Sequence, residues 1–276
     1  MQSRIIPHLG DIVMATEMSK MNTSMVLRIC KADMTSHNGF IWPTKGHVEA
    51  PDWEATQECG NGLHGWFEAQ GDASYSNYLN EPDAKYLVLK VKTDSIIHLD
   101  GKCKFPRAKV CFVGNRNEAI AYIDEHYPHL QDSPLLFSNR TVGDNNVVAT
   151  GDFGTAKAGR YGTARAGFRG TATVGNYGTA TAGYNGTATA GFRGTATVGN
   201  YGTATAGDRG TATVGDFGTA TAGEFGTAMA GDRGIIQIHY FSGRARIAIG
   251  YIGENGLKPN VKYTLDANHN FVEDVS

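Results

Sequence analysis

The chain has 276 residues, 41% of them hydrophobic and 19% charged, with a formal net charge of −2, a balance that excludes an intrinsically disordered chain and leaves room for one large domain or two modest ones. Residues 1–142 carry 14 Lys and Arg against 17 Asp and Glu, 143–234 carry 7 against 6, and 235–276 carry 4 against 4, which excludes a basic nucleic-acid footprint and gives no support to a polyanionic mimic. Glycine is the outlier, with 36 residues of which 22 lie between Gly151 and Gly234.

The first 25 residues, with Met14, Met18, Met21 and Met25, lack the apolar core of a signal peptide, and no later run reaches the length of a membrane-spanning helix. The expectation is a flexible N-terminus over 1–25 on a soluble, cytoplasmic protein with no membrane partner. Cys30, Cys59, Cys103 and Cys111 form no C-x-x-C pair, and four reduced thiols suit that compartment. Cys103 and Cys111 with His98 have the spacing of alternating strand positions rather than of a metal site, so neither metal nor cofactor is expected.

Residues 26–135 read as a compact α+β domain. Val26 to Cys30, Tyr86 to Val91, Ile96 to Leu99 and Val110 to Val113 are strand-like. Asn117 to His126 carries Ala119, Ile120 and Ile123 at helical spacing, and Gly71 to Tyr78 is read as a second, shorter helix. The runs GFIWP with EAPDW, and ECGNGLHGW, read as loops rich in aromatic residues. No Walker loop, dinucleotide-binding fingerprint or nucleophile elbow occurs.

The segments GFIWP, EAPDW, ECGNGLHGW, KYLVLKV and KFPRAKVCFVG, with GTATAG octads and the later GYIGENGLKPNVKYTLD, resemble an uncharacterised domain family found in phage and bacterial proteins. The resemblance spans about 26–127 and 143–276 and brings no activity with it; it implies a phage-carried accessory factor acting on a host protein. Gly62-Leu63-His64 is also similar to the strand histidine that orients a ribose in ADP-ribosyltransferases, which implies His64 as a catalytic candidate. No acidic catalytic motif accompanies it, and a structural His64 is the preferred reading.

From Gly151 to Ala230 the chain recurs every eight residues as G-x-x-G-T-A-x-[AV], ten times without a gap, with degenerate units at 143–150 and 231–238. Such self-similarity predicts a β-solenoid over 143–238, because one unit cannot cover its own apolar face. Lys157, Arg165 and Met229 replace the second Thr, and long charged chains do not fit a narrow interior, so the Thr face looks outward and the Ala and Val face inward. The paired glycines are expected to supply positive φ at each corner. Eight residues give one strand and one corner, so two octads per coil, about six coils, is the favoured reading. A 24-residue echo beginning at Gly167 and Gly191 keeps three per coil as a competitor, and a flat meander is the third option.

Residues 239–276 read as a C-terminal β-hairpin cap, entered through a hairpin over Ile235 to Ile249 and holding a second over Val261 to Val272. The octad Ala182-Gly183-Tyr184-Asn185-Gly186-Thr187-Ala188-Thr189 resembles the A-G-Y-G-S-T-x-T octapeptide of bacterial ice-nucleation proteins, although the array here is far shorter and lacks their 16-residue alternation. The function expected is a non-enzymatic repeat scaffold that binds a host protein or self-assembles as a homo-oligomer through its faces. Lys157, Arg160, Arg165 and Arg169 sit early in the array and Asp208, Asp216, Glu224 and Asp232 late, a polarity that could steer self-association. The corner residues Phe168, Arg169, Tyr177, Tyr184, Phe192, Arg193 and Tyr201 are the candidate binding residues. Thr195 and Thr197 stand for an ice-binding alternative, in which outward Thr pairs form a hydroxyl and methyl grid.

Overall fold

A computed structural model describes residues 22–275, in two compact units that meet in sequence at Leu130 and Gln131. The first unit is an antiparallel sheet of seven strands: β1 (Thr23–Cys30), β2 (Gly46–Glu49), β3 (Leu63–Phe67), β4 (Lys85–Lys92), β5 (Ile97–Leu99), β6 (Lys102–Phe105) and β7 (Arg107–Gly114), in the order β2-β7-β4-β1-β3-β6-β5. Central β1 buries Met25, Val26, Leu27, Ile29 and Cys30, as a strand covered on both faces should. One α-helix, α1 (Arg116–His126), follows β7 and buries Ala119, Ile120 and Ile123, the three residues whose spacing predicted it. Its start is fixed by a capping box in which Asn115 accepts from the Glu118 N–H while the Glu118 carboxylate accepts from the Asn115 N–H.

Three expectations for this unit need correction. Gly71 to Tyr78 is not a helix but a single 3-10 turn, Ala73–Tyr75, because Asp72 accepts from Ser74 N–H at 2.8 Å and Gly71 stands at φ +134°. The aromatic loop runs contain strands, since β2 includes Glu49 and β3 begins at Leu63. Thr23, Ser24 and Met25, placed in a flexible N-terminus, belong to β1, while residues 1–21 lie outside the described part. Among the described residues no helix is long and apolar enough to cross a membrane.

The second unit is a β-solenoid with two octads per coil. One parallel sheet stacks β8 (Asn139–Thr141), β10 (Thr155–Ala158), β12 (Thr171–Val174), β14 (Thr187–Ala190), β16 (Thr203–Ala206), β18 (Thr219–Ala222) and β20 (Ile235–Phe241). The facing sheet stacks β9 (Val147–Ala149), β11 (Thr163–Ala166), β13 (Thr179–Ala182), β15 (Thr195–Val198), β17 (Thr211–Val214) and β19 (Thr227–Ala230). Every pairing joins residue i to i+16, as in Thr171 opposite Thr187 and Thr195 opposite Thr211. That register rules out the three-octad coil and the meander. Between the sheets lies a core of Ala and Val from Ala156 to Ala230, no member more than 9% exposed, while Lys157 and Arg165 point to solvent.

The glycines serve a different purpose from the one expected. None of the array glycines has positive φ; the left-handed residue is the one before the second glycine, such as Arg193 at 52° and Tyr201 at 59°. Glycine is required because the coils touch backbone to backbone: a Cβ on Gly183 would lie 2.8 Å from the Gly167 carbonyl carbon and 2.9 Å from the Phe168 nitrogen, one coil away.

Both sheets end in larger side chains. Strand β20 turns back into β21 (Ala245–Tyr251), and β19 is covered by β22 (Tyr263–Leu265), which pairs with β23 (Phe271–Glu273). Ile236, Ile238, Ile252, Leu257 and Tyr263 close the core there. At the opposite end the sheet starts at Asn139, just ahead of the first degenerate octad and after the buried Leu135, Leu136 and Phe137.

Candidate functional sites

Parallel stacking in register converts each Thr of the octad into a column. On one face Thr171, Thr187, Thr203 and Thr219 stand beside Thr173, Thr189, Thr205 and Thr221, giving four complete Thr-x-Thr ranks. The other face has three, from Thr179 and Thr181 through Thr195 and Thr197 to Thr211 and Thr213, after which Met229 interrupts the second column. Strand geometry sets the grid at about 4.8 Å between ranks and about 6.7 Å within a rank. The alternation of inward Ala with outward Thr keeps the hydroxyls and methyls of one face in a single layer.

The corner residues divide between two opposite edges. On one edge Phe137, Phe153, Phe168, Tyr184, Tyr201 and Phe217 form an unbroken column of rings with neighbouring centroids 4.9 to 5.8 Å apart, and Arg169 lies over Phe153 and Phe168. The other edge carries a shorter run of Tyr161, Tyr177 and Phe192, with Arg193 over Phe192. Phe168, Arg169, Tyr184 and Tyr201 are therefore brought together, whereas Tyr177, Phe192 and Arg193 stand on the far edge. Thr195 and Thr197 sit on a face and not with either group.

Two contributions were not foreseen from the sequence, although Asp208 and Asp216 were noted there for their charge. Phe137, Phe153 and Phe217 extend the ring column, and their signal is the 16-residue period of that edge. Asp152, Asn176, Asn200, Asp208 and Asp216 each accept, through a side-chain oxygen, the backbone N–H of the corner one coil on, at 2.8 to 3.0 Å. This ladder satisfies corner N–H groups that the strands cannot reach.

In the first unit His64 lies on β3 in a cleft of about 400 Å³ lined also by Arg28, Cys59, Trp66, Tyr75, Tyr78 and Lys102. Burial, reinforced by Lys102 and Arg28, pushes its imidazole down to about 4, so the ring is neutral near pH 7. Lys104, fully buried, spends its ammonium on Thr56 Oγ1 and the carbonyls of Glu58 and Gly60 at 2.8 to 3.4 Å and holds that loop. Among the described residues no carboxylate lines the cleft.

Fold and surface together define the class: a repeat β-solenoid with Thr-bearing faces and aromatic edges, preceded in the chain by an antiparallel β-rich unit with one helix. Comparison with known proteins finds matches to parts of the chain. Residues 24–121 match a family model described as a domain of unknown function, DUF7666. The chain is 39% identical over 104 residues to an ice nucleation protein of Pseudomonas fluorescens, a match that covers 37% of this chain and 8% of that protein. It is 38% identical over 106 residues to one from Xanthomonas campestris pv. translucens, covering 38% and 7%, and 32% identical over 139 residues to one from Enterobacter agglomerans, covering 46% and 11%. The chain thus spans about a tenth or less of the length of these relatives. No solved structure matches.

Proposed function

We propose that the solenoid is a non-enzymatic scaffold whose working surfaces are its Thr faces, and that their occupant is an ordered layer of water, as at an ice crystal. The observation that carries this reading is the register of the four Thr-x-Thr ranks from Thr171 to Thr221. Paired columns of hydroxyls and methyls at fixed spacing can hold a planar water layer at many weak contacts at once. Similarity to proteins named for ice nucleation supports the same occupant. With seven ranks over two faces, the expected action is adsorption to existing crystals rather than nucleation. Thermal hysteresis or slowed ice recrystallisation should be measurable for the full chain and should fall several-fold in Thr189→Tyr with Thr205→Tyr at an unchanged melting temperature. A wild-type chain with no effect on crystal growth overturns the reading.

A second reading, association with a second copy or with a host protein, is favoured by a different observation: Tyr184, Tyr201 and Phe217 on one edge are 44 to 50% exposed. Aromatic rings in a straight column suit a protein interface. Sedimentation that shows a dimer, lost in Tyr184→Ser with Tyr201→Ser while ice activity persists, would assign the edge to association.

A further inference from the structure

The strongest unexplained chemistry lies outside the solenoid, in the cleft of the first unit. Two polar atoms there are sealed from solvent without a hydrogen-bond partner, Arg28 Nε and His64 Nε2. A buried donor left unpaired costs about 1–3 kcal/mol, and more when charged, so the arrangement is retained against a penalty. The two residues are adjacent: Arg28 Nη1 donates to the His64 carbonyl oxygen at 3.3 Å. Lys102 lines the same cleft, with its Nζ 4.9 Å from the centre of the Tyr75 ring and donating to Cys59 Sγ at 2.9 Å. Among the described residues neither Arg28 nor Lys102 forms an ion pair with a carboxylate. Two cations therefore converge on a concavity that, among the described residues, supplies no counter-charge.

We propose that this cleft binds a small phosphate ester, with the phosphate on Arg28, Lys102 and His64 and a flat organic group against Tyr75. An oxyanion supplies what the cleft lacks, because it neutralises both cations. The cleft, about 400 Å³, is in the range of small-molecule sites and leaves room for an organic portion beyond a bare phosphate. His64 becomes the sensor of occupancy: Arg28, Lys102 and Lys104 surround it with positive charge, and a bound dianion reverses that field and favours the protonated ring. Binding therefore takes up a proton. The site is independent of the solenoid and of what its faces hold.

The test uses the full chain with phenyl phosphate, inorganic phosphate and uncharged benzyl alcohol as probes at matched ionic strength. Two readouts avoid any assumed activity. One is alkylation of Cys59, the exposed thiol in the cleft, which stands apart from the buried Cys30 and Cys103, whose thiols burial pushes up to about 11 and about 12. The other is the ring titration of His64 followed by NMR. Phenyl phosphate should slow Cys59 labelling saturably and move the His64 midpoint up by about one unit or more. Lys102→Gln should weaken that affinity about tenfold with an unchanged melting temperature, and Arg28→Lys should do so if it folds. Saturable effects from inorganic phosphate equal to those of phenyl phosphate would overturn the organic subsite. An absence of saturation by either up to about 10 mM, or full binding by Lys102→Gln, would overturn the site itself.

Discussion

A residue in this array is judged by how closely the next coil approaches it. Gly183→Ala should destabilise by about 1–3 kcal/mol, because its methyl group would meet the Gly167 carbonyl oxygen and the Phe168 nitrogen, both at 2.9 Å; chemical denaturation checks it. At the neighbouring corner position Tyr201 has φ 59°, which a β-branched residue tolerates poorly, so Tyr201→Val should lower the melting temperature where Tyr201→Asn lowers it less. The sequence alone could not separate these roles. Glycine is chosen both for positive φ and for want of a Cβ, and a repeated G-x-x-G looks the same in either case. His64 gives a prediction in pH: its unfolded value is the ordinary 6.5 and its folded value about 4, so the unfolded chain binds the proton first. The stability contribution is complete above pH 6.5 and drains away as the pH falls toward 4. His64→Gln should flatten the melting temperature against pH in that window.

At the scale of the element, orientation decides tolerance. Ala196 is fully buried between the sheets and Thr197 faces out, as Arg165 does two coils earlier in the same column. Ala196→Lys should therefore unfold the array, whereas Thr197→Lys should stay within about 0.5 kcal/mol of the parent; melting curves read by circular dichroism separate the two. The repeated strands were legible because their exceptions, Lys157, Arg165 and Met229, all fall on one face. Helix α1 was legible because Ala119, Ile120 and Ile123 share a stripe. Strands β2 and β6 were not, since four residues such as Gly46–Glu49 or Lys102–Phe105 are too few for alternation to declare itself. The cleft at His64 depends on β1, β3 and β6 lying side by side, a non-local pairing that no short segment announces, so only His64 itself was visible in advance.

For the molecule as a whole, the ends matter as much as the middle. Strand β20 pairs along its full length with β21, and β19 is met by β22. A chain ending after Ala230 would bare two parallel sheet edges, so it should form larger, concentration-dependent assemblies than the full chain does; light scattering across a dilution series tests this. Coil size could be argued but not proved from an eight-residue period, which divides 16 and 24 alike. The decisive sign was already in the corners: taken every 16 residues, one edge places an aromatic ring in each coil from Phe153 to Phe217, even though the ring alternates between two positions of the octad.

The constant step of 16 residues carries a consequence for heredity. A gene segment gained or lost by slippage during replication, if it encodes one full turn, would set each surviving strand on a bed of the same shape and chemistry as before. Length in this protein is thus a dial that mutation can move in whole increments without having to solve a new packing problem.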